Sequence, residues 1–213
     1  MMYLIISIIV TSVSLANNYN EELISVLFDD SGWQLKEMQD ETSIYTKNIE
    51  DITLDAIMVS KTIFFPAQHI FDIIKNIKNY NSVLVNSSNV KTEIISNNND
   101  KIIAFQSIEI PILSDLYYFF NMYDNTQLVN SIIWVLEDSN QYSSELVYKK
   151  GFALDVGCGG WDYIDNGDGT FKVNYRLIMD ITGYPRWAVN YINYYSILNV
   201  FNDIVLAASQ LNK

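Results

Sequence analysis

Apolar residues recur at helical spacing in three stretches of the chain and at strand spacing almost everywhere else. Leu23, Ile24, Leu27 and Phe28 mark a first helix, with Asn20 placed as its N-cap and Asp30-Ser31-Gly32 ending it. Two short strands, 33–39 and 43–47, are expected around an Asp-Glu-Thr turn, followed by a longer one, 54–65, rich in Ile, Val and Phe. Pro66 opens a second helix, suited to a first position where its missing N–H would have no partner. Ile70, Phe71, Ile74 and Ile77 form the apolar face of that helix, and Tyr80-Asn81-Ser82 ends it.

From Val90 onward the pattern predicts strand after strand. Segments 90–96 and 101–110 flank Asn97-Asn98-Asn99-Asp100, residues that tolerate positive φ. Further strands are expected over 116–123, 131–137 and 143–149, and 161–164 pairs with 171–179 across the hairpin signal Asp165-Asn166-Gly167-Asp168-Gly169. A long closing helix carries Trp187, Tyr191, Tyr194, Leu198, Phe201, Val205 and Ala208 as one stripe, with Asn190, Asn193, Asn199, Asn202 and Asp203 off it. In a single domain of eight or nine strands that stripe must bury against the sheet, so the expected class is α+β, with a cavity roofed by the helix.

At 213 residues, 49% hydrophobic and 14% aromatic, the chain suffices for one packed domain and is too short for two ordinary ones. A formal net charge of −12 repels polyanions, which argues against DNA, RNA and strongly anionic bilayers as partners; the acids keep an apolar chain soluble. The single cysteine, Cys158, excludes an internal disulfide. Residues 1–16 hold no charged side chain, and the apolar run 2–10 followed by Ser14-Leu15-Ala16 reads as a signal peptide cleaved after Ala16. The expected organisation is therefore a signal peptide, 1–16, and one exported domain, 17–213, periplasmic or extracellular.

Three segments together resemble a StAR-related lipid-transfer (START) domain of the helix-grip superfamily. They are Phe65-Pro66-Ala67-Gln68-His69-Ile70-Phe71 running on to Tyr80, Ile110-Pro111-Ile112-Leu113-Ser114-Asp115-Leu116-Tyr117-Tyr118-Phe119 at the family's gate loop, and Gly160-Trp161 through Gly183-Tyr184-Pro185-Arg186-Trp187 into the last helix. The resemblance spans about residues 20–213. It implies a helix-grip fold, a curved antiparallel sheet wrapped on the long C-terminal helix around an internal apolar cavity. It also implies non-covalent binding, and transfer, of a hydrophobic small molecule or lipid, with transient membrane contact. Leu116 and Tyr117 stand where these domains commonly carry a basic residue followed by an acidic one, so neither a charged contact there nor a ligand type is carried over.

The sequence offers little catalytic machinery. His69 is the only histidine, no Gly-x-Ser-x-Gly elbow exists to partner it, and His69 with Cys158 is too small a set for zinc. Gly157-Cys158-Gly159-Gly160 lacks the third glycine of a dinucleotide fingerprint and reads as the start of a strand or a bulge. Asp165 to Gly169 resembles a calcium loop, but Arg176 occupies the bidentate glutamate position, so a plain hairpin turn is expected. No cofactor and no metal is implied. Candidate cavity or gate residues are Ile112 and Leu113 in the gate loop, Trp134, Trp161 and Tyr175 as walls, and Trp187, Tyr191, Tyr194 and Leu198 on the helix. Alternation places Arg176 opposite Tyr175: solvent-facing if the aromatic face lines the cavity, a head-group anchor if the register is reversed. Two other readings stay open, a helix-grip enzyme of cyclase or hydrolase type acting on an apolar substrate, and a ligand-free interaction module.

Overall fold

The computed structural model describes residues 19–20, 22–49, 55–87, 89–98, 101–110, 113–124, 130–142, 151–181, 183–185, 189, 192 and 197–211. A helix over 22–28 (α1) precedes β1 (Gln34–Gln39), β2 (Thr42–Lys47) and β3 (Ala56–Ile63). Then come α2 (Gln68–Lys75), a 3-10 turn Ile77–Asn79 and α3 (Tyr80–Val83). β4 (Val90–Asn98), β5 (Lys101–Ile108), β6 (Leu116–Asp124) and β7 (Ser131–Glu137) follow, with a 3-10 turn Ser139–Tyr142. The chain closes with β8 (Phe152–Ala153), β9 (Gly157–Asp165), β10 (Phe171–Met179) and α4 (Ile197–Gln210).

The strands form one sheet in the order β1-β2-β3-β10-β9-β7-β6-β5-β4, antiparallel throughout, with β8 adding parallel to β6. β10 is central and pairs along its whole length with β9, Phe171 opposite Asp165 through Met179 opposite Gly157. Both rims of the sheet are irregular: β1 bulges between Leu35 and Glu37, and β4 between Ile94 and Ser96. On the outer side of β4, the Asn81 side chain donates to the Thr92 carbonyl and accepts from the Thr92 N–H, each at 3.0 Å.

Strand alternation divides the core in two. The inner face, with Val59, Ala104, Phe120, Ile132, Val173 and Leu177, buries against Ile70 and Ile74 of α2 and Ile197, Phe201, Ile204 and Ala208 of α4. The outer face carries a smaller cluster, where Leu23 and Leu27 of α1 cover Ala56, Cys158 and Ile178. Cys158 is wholly buried there, and burial pushes its thiol up to about 12, so it packs as a small apolar residue.

Local expectations and the folded chain differ at four places. Asn20 is not a helix cap: its buried side chain donates to the carbonyls of Leu136 and Asp155 and accepts from the Gly157 N–H at 3.0 Å, fastening α1 to the sheet. Pro66 lies just outside α2, whose N-cap is Ala67. β9 begins at Gly157, four residues earlier than predicted, and Gly157 to Gly160 pair in regular register without a bulge. The buried stripe of α4 is rotated about one residue from the expected line: Ile197, Phe201, Ile204 and Ala208 are buried, Leu198 and Val205 only partly, and Asp203 is fully inside. The strand expected over 143–149 lies outside the described residues.

Candidate ligand cavity

Between sheet and helices lies a cavity of about 70 Å³. Its floor is the inner face of β5, β6, β7, β9 and β10, and its roof comes from Val200 and Ile204 of α4 together with Ile74, Tyr80 and Leu84. Its position depends on glycine. A Cβ on Gly159 would stand 2.3 Å from the Trp134 ring and 2.6 Å from the Arg176 carbonyl oxygen. The bare backbone of β9 therefore lets the Trp134 indole lie across the sheet and wall the cavity. The next glycine does the same on the opposite face, where a Cβ on Gly160 would meet Phe28 of α1 at 2.8 Å and the Ile132 carbonyl at 2.5 Å. One further residue along, Trp161 is stacked between Tyr175 of the floor (4.3 Å, 15°) and Phe201 of α4 (5.4 Å, 3°), joining sheet to helix by ring contact.

Among the described lining residues none is charged; polarity comes from Gln106, three tyrosines and two indoles. Gln106 donates to Thr92 Oγ1 at 2.8 Å and accepts from the Tyr118 hydroxyl. The Tyr80 hydroxyl donates to the Ile74 carbonyl at 2.7 Å, and the Trp134 indole N–H lies near the Tyr175 oxygen. Burial pushes all three phenols well above the ordinary tyrosine range, and the proximity of Tyr175 raises Tyr80 and Tyr118 further. They stay neutral at any physiological pH.

The roof is latched by a carboxylate. Asp203, 1% exposed, accepts from the backbone N–H groups of Asn86 and Ser87 at 3.0 Å, from Asn86 Nδ2 at 2.6 Å and from Ser87 Oγ at 3.1 Å. It thereby ties α4 to the loop that follows Leu84, and both α4 and Leu84 line the cavity. Asp203→Ala leaves two backbone donors and a buried hydroxyl without acceptors, so urea unfolding should show a loss of about 3 kcal/mol, with Asp203→Asn intermediate. At the same end, Tyr184 donates to the Ser114 carbonyl at 3.0 Å and its ring meets Phe152 edge-on, while Leu113 is half-buried against the inner core.

Of the residues expected at the site, Trp134, Trp161 and Tyr175 line the cavity, while Leu113 and Leu198 pack against the core around it. Ile112, Trp187, Tyr191 and Tyr194 lie outside the described residues. Arg176 is a correction to both readings open for it. It is 4% exposed on the outer face, neither in solvent nor in the cavity, because α1 covers it. Its guanidinium donates to Asp162 and Asp30 at 2.8 Å and to the Leu27 carbonyl, under the Phe28 and Trp33 rings. Lys47 works beside it, donating to the Val26 and Asp29 carbonyls where α1 ends. Tyr80, Gln106 and Tyr118 were not singled out by sequence; the signal for Gln106 was a lone polar residue on the inner parity of β5, between Ala104 and Ile108.

No family model and no curated protein matches the sequence. Solved structures do match in fold. Human StAR-related lipid transfer protein 5 superposes with a TM-score of 0.68 at 14% identity, covering 95% of this chain and 99% of that one. Human STARD10 gives 0.67 at 18% identity, over 90% of this chain and 78% of that one. The Zhui aromatase/cyclase from Streptomyces gives 0.50 at 10% identity, over 74% of this chain and 93% of that one. The fold is thus the α+β helix-grip fold of START domains, a curved antiparallel sheet with a C-terminal helix across it.

Proposed function

We propose that the protein binds a lipid or other hydrophobic small molecule non-covalently between its sheet and its C-terminal helix. The observation that carries this reading is the internal cavity, walled by aliphatic and aromatic side chains in a fold shared with lipid-transfer proteins. Affinity comes from apolar burial, at about 25 cal/mol per Å² before ordering costs are subtracted. The cavity is under half the ~150 Å³ of one that takes up benzene, so a lipid must part the walls as it enters. Met122 and Met179, both lining it, are the side chains best able to re-pack. Uptake then requires α4 and the 84–87 and 110–115 segments to separate, and we assign the gate to that end of the sheet.

The similarity to an aromatase/cyclase gives the enzyme reading its footing. Acid–base catalysis, however, wants groups whose pKa lies near the working pH, and burial moves the cavity phenols away from it. Binding is the better account. Native mass spectrometry of protein purified from its own source should show a bound apolar molecule that organic extraction releases. Val200→Phe, which narrows the cavity from the roof, should lower its occupancy about tenfold or more. If the purified protein carries nothing and takes up no fluorescent lipid from phosphatidylcholine vesicles, the reading is wrong.

A further inference from the structure

We propose that the cavity selects an uncharged ligand bearing one oxygen group, best a hydroxyl, seated among Tyr80, Gln106, Tyr118 and Tyr175. This rests on the reading of the cavity as a ligand site and narrows it to a chemical class.

Charge selects first. A carboxylate or phosphate in this space would be stripped of water without a counter-charge, since no lining residue among those described is basic. The guanidinium of Arg176 faces the other side of the sheet and is committed to Asp162 and Asp30. A cationic head group fares no better, because the described lining also holds no carboxylate and its phenols stay protonated.

Hydrogen-bond supply selects next. Tyr118 and Tyr80 already donate their protons, to Gln106 and to the Ile74 carbonyl, so each presents only oxygen lone pairs to the cavity. Tyr175 is the reverse: its oxygen lies near the Trp134 N–H, and no described residue accepts its own proton. The phenols lie close enough to raise one another's pKa, yet no hydrogen bond joins them. A ligand hydroxyl placed among them accepts from Tyr175 and donates to Tyr80 or Tyr118, completing both sides. A carbonyl completes one side and a hydrocarbon neither.

The test compares three probes of one chain length, 1-octanol, octanoate at pH 8 and octane, by quenching of the fluorescence of Trp134 and Trp161. Octanol should bind about tenfold or more tightly than either of the others. Tyr175→Phe, and Tyr80→Phe combined with Tyr118→Phe, which keep the rings, should each bring octanol to within about threefold of octane while octane itself binds as before, a change that altered packing alone would not produce. Octanoate binding as tightly as octanol, or full octanol affinity in both variants, would overturn the selection while leaving the cavity a ligand site. Failure of all three probes to bind would overturn the selection and the proposed function together.

Discussion

Arg176→Met is expected to destabilise the fold by about 4 kcal/mol near neutral pH, because it leaves the buried Asp162 carboxylate without its cation. The partners are unequal. Asp30 is exposed and water can take over its charge, whereas the Asp162 side chain is 13% exposed and enclosed beneath α1. Burial already raises Asp162 above the usual carboxylate range, against the pull of Arg176, and removing that pull raises it further. A carboxyl with a raised folded pKa contributes stability that is full below its unfolded value, about 3.9, and is lost as pH rises through the folded one. The deficit of the variant should therefore be smallest near about pH 4 and grow toward neutrality. Chemical unfolding at a series of pH values measures this. Arg176→Met with Asp162→Leu should recover most of the loss, and a double variant as unstable as the single one would show that packing of the Arg176 stem, not its charge, is what matters.

Gly159→Ala is expected to cost about 3 kcal/mol, an unusual penalty for one methyl group on a strand. The added carbon meets the Trp134 ring at 2.3 Å and backbone oxygen at 2.6 Å, so neither a rotamer change nor a small drift of one side chain relieves both contacts. Displacing the indole also disturbs a wall of the cavity, and under the proposed function the variant should lose ligand uptake beyond its loss of stability. In a double-mutant cycle with Trp134→Leu, the two changes should be less than additive by about 1 kcal/mol, the residue being the clash with the Arg176 carbonyl.

Sequence reasoning succeeded where one strand or helix suffices to define a pattern. The alternation along β10 put Val173, Tyr175 and Leu177 on one side and Asn174 and Arg176 on the other, which is how they fold. It failed wherever a residue's environment comes from far along the chain. Asn20 is a cap by its neighbours but a sheet fastener by its contacts with Leu136, Asp155 and Gly157. Asp203 sits off the apolar stripe in a helical projection, yet a loop 117 residues earlier surrounds it with donors. Alternation gave Arg176 the outer face correctly, but it has no means of indicating that a helix 149 residues earlier lies over that face. The polar side of the cavity was illegible for the same reason: the Gln106–Tyr118 pair exists only through the cross-strand register of β5 and β6.

The irregular rims have a consequence for the molecule in a crowd of its own copies. A curved sheet that does not close into a barrel offers two free lines of N–H and C=O groups, and in principle a neighbouring chain can add to either and start a fibre. Here each line is interrupted by a bulge, and on β4 the groups of Thr92 are already held by Asn81. Along β1, Lys36 is the bulged residue and Glu37 follows it, between exposed Leu35 and Met38. Under the proposed function, opening to admit a ligand repeatedly loosens part of the core. The kinked borders let the protein do so without presenting a straight template on which its copies could polymerise.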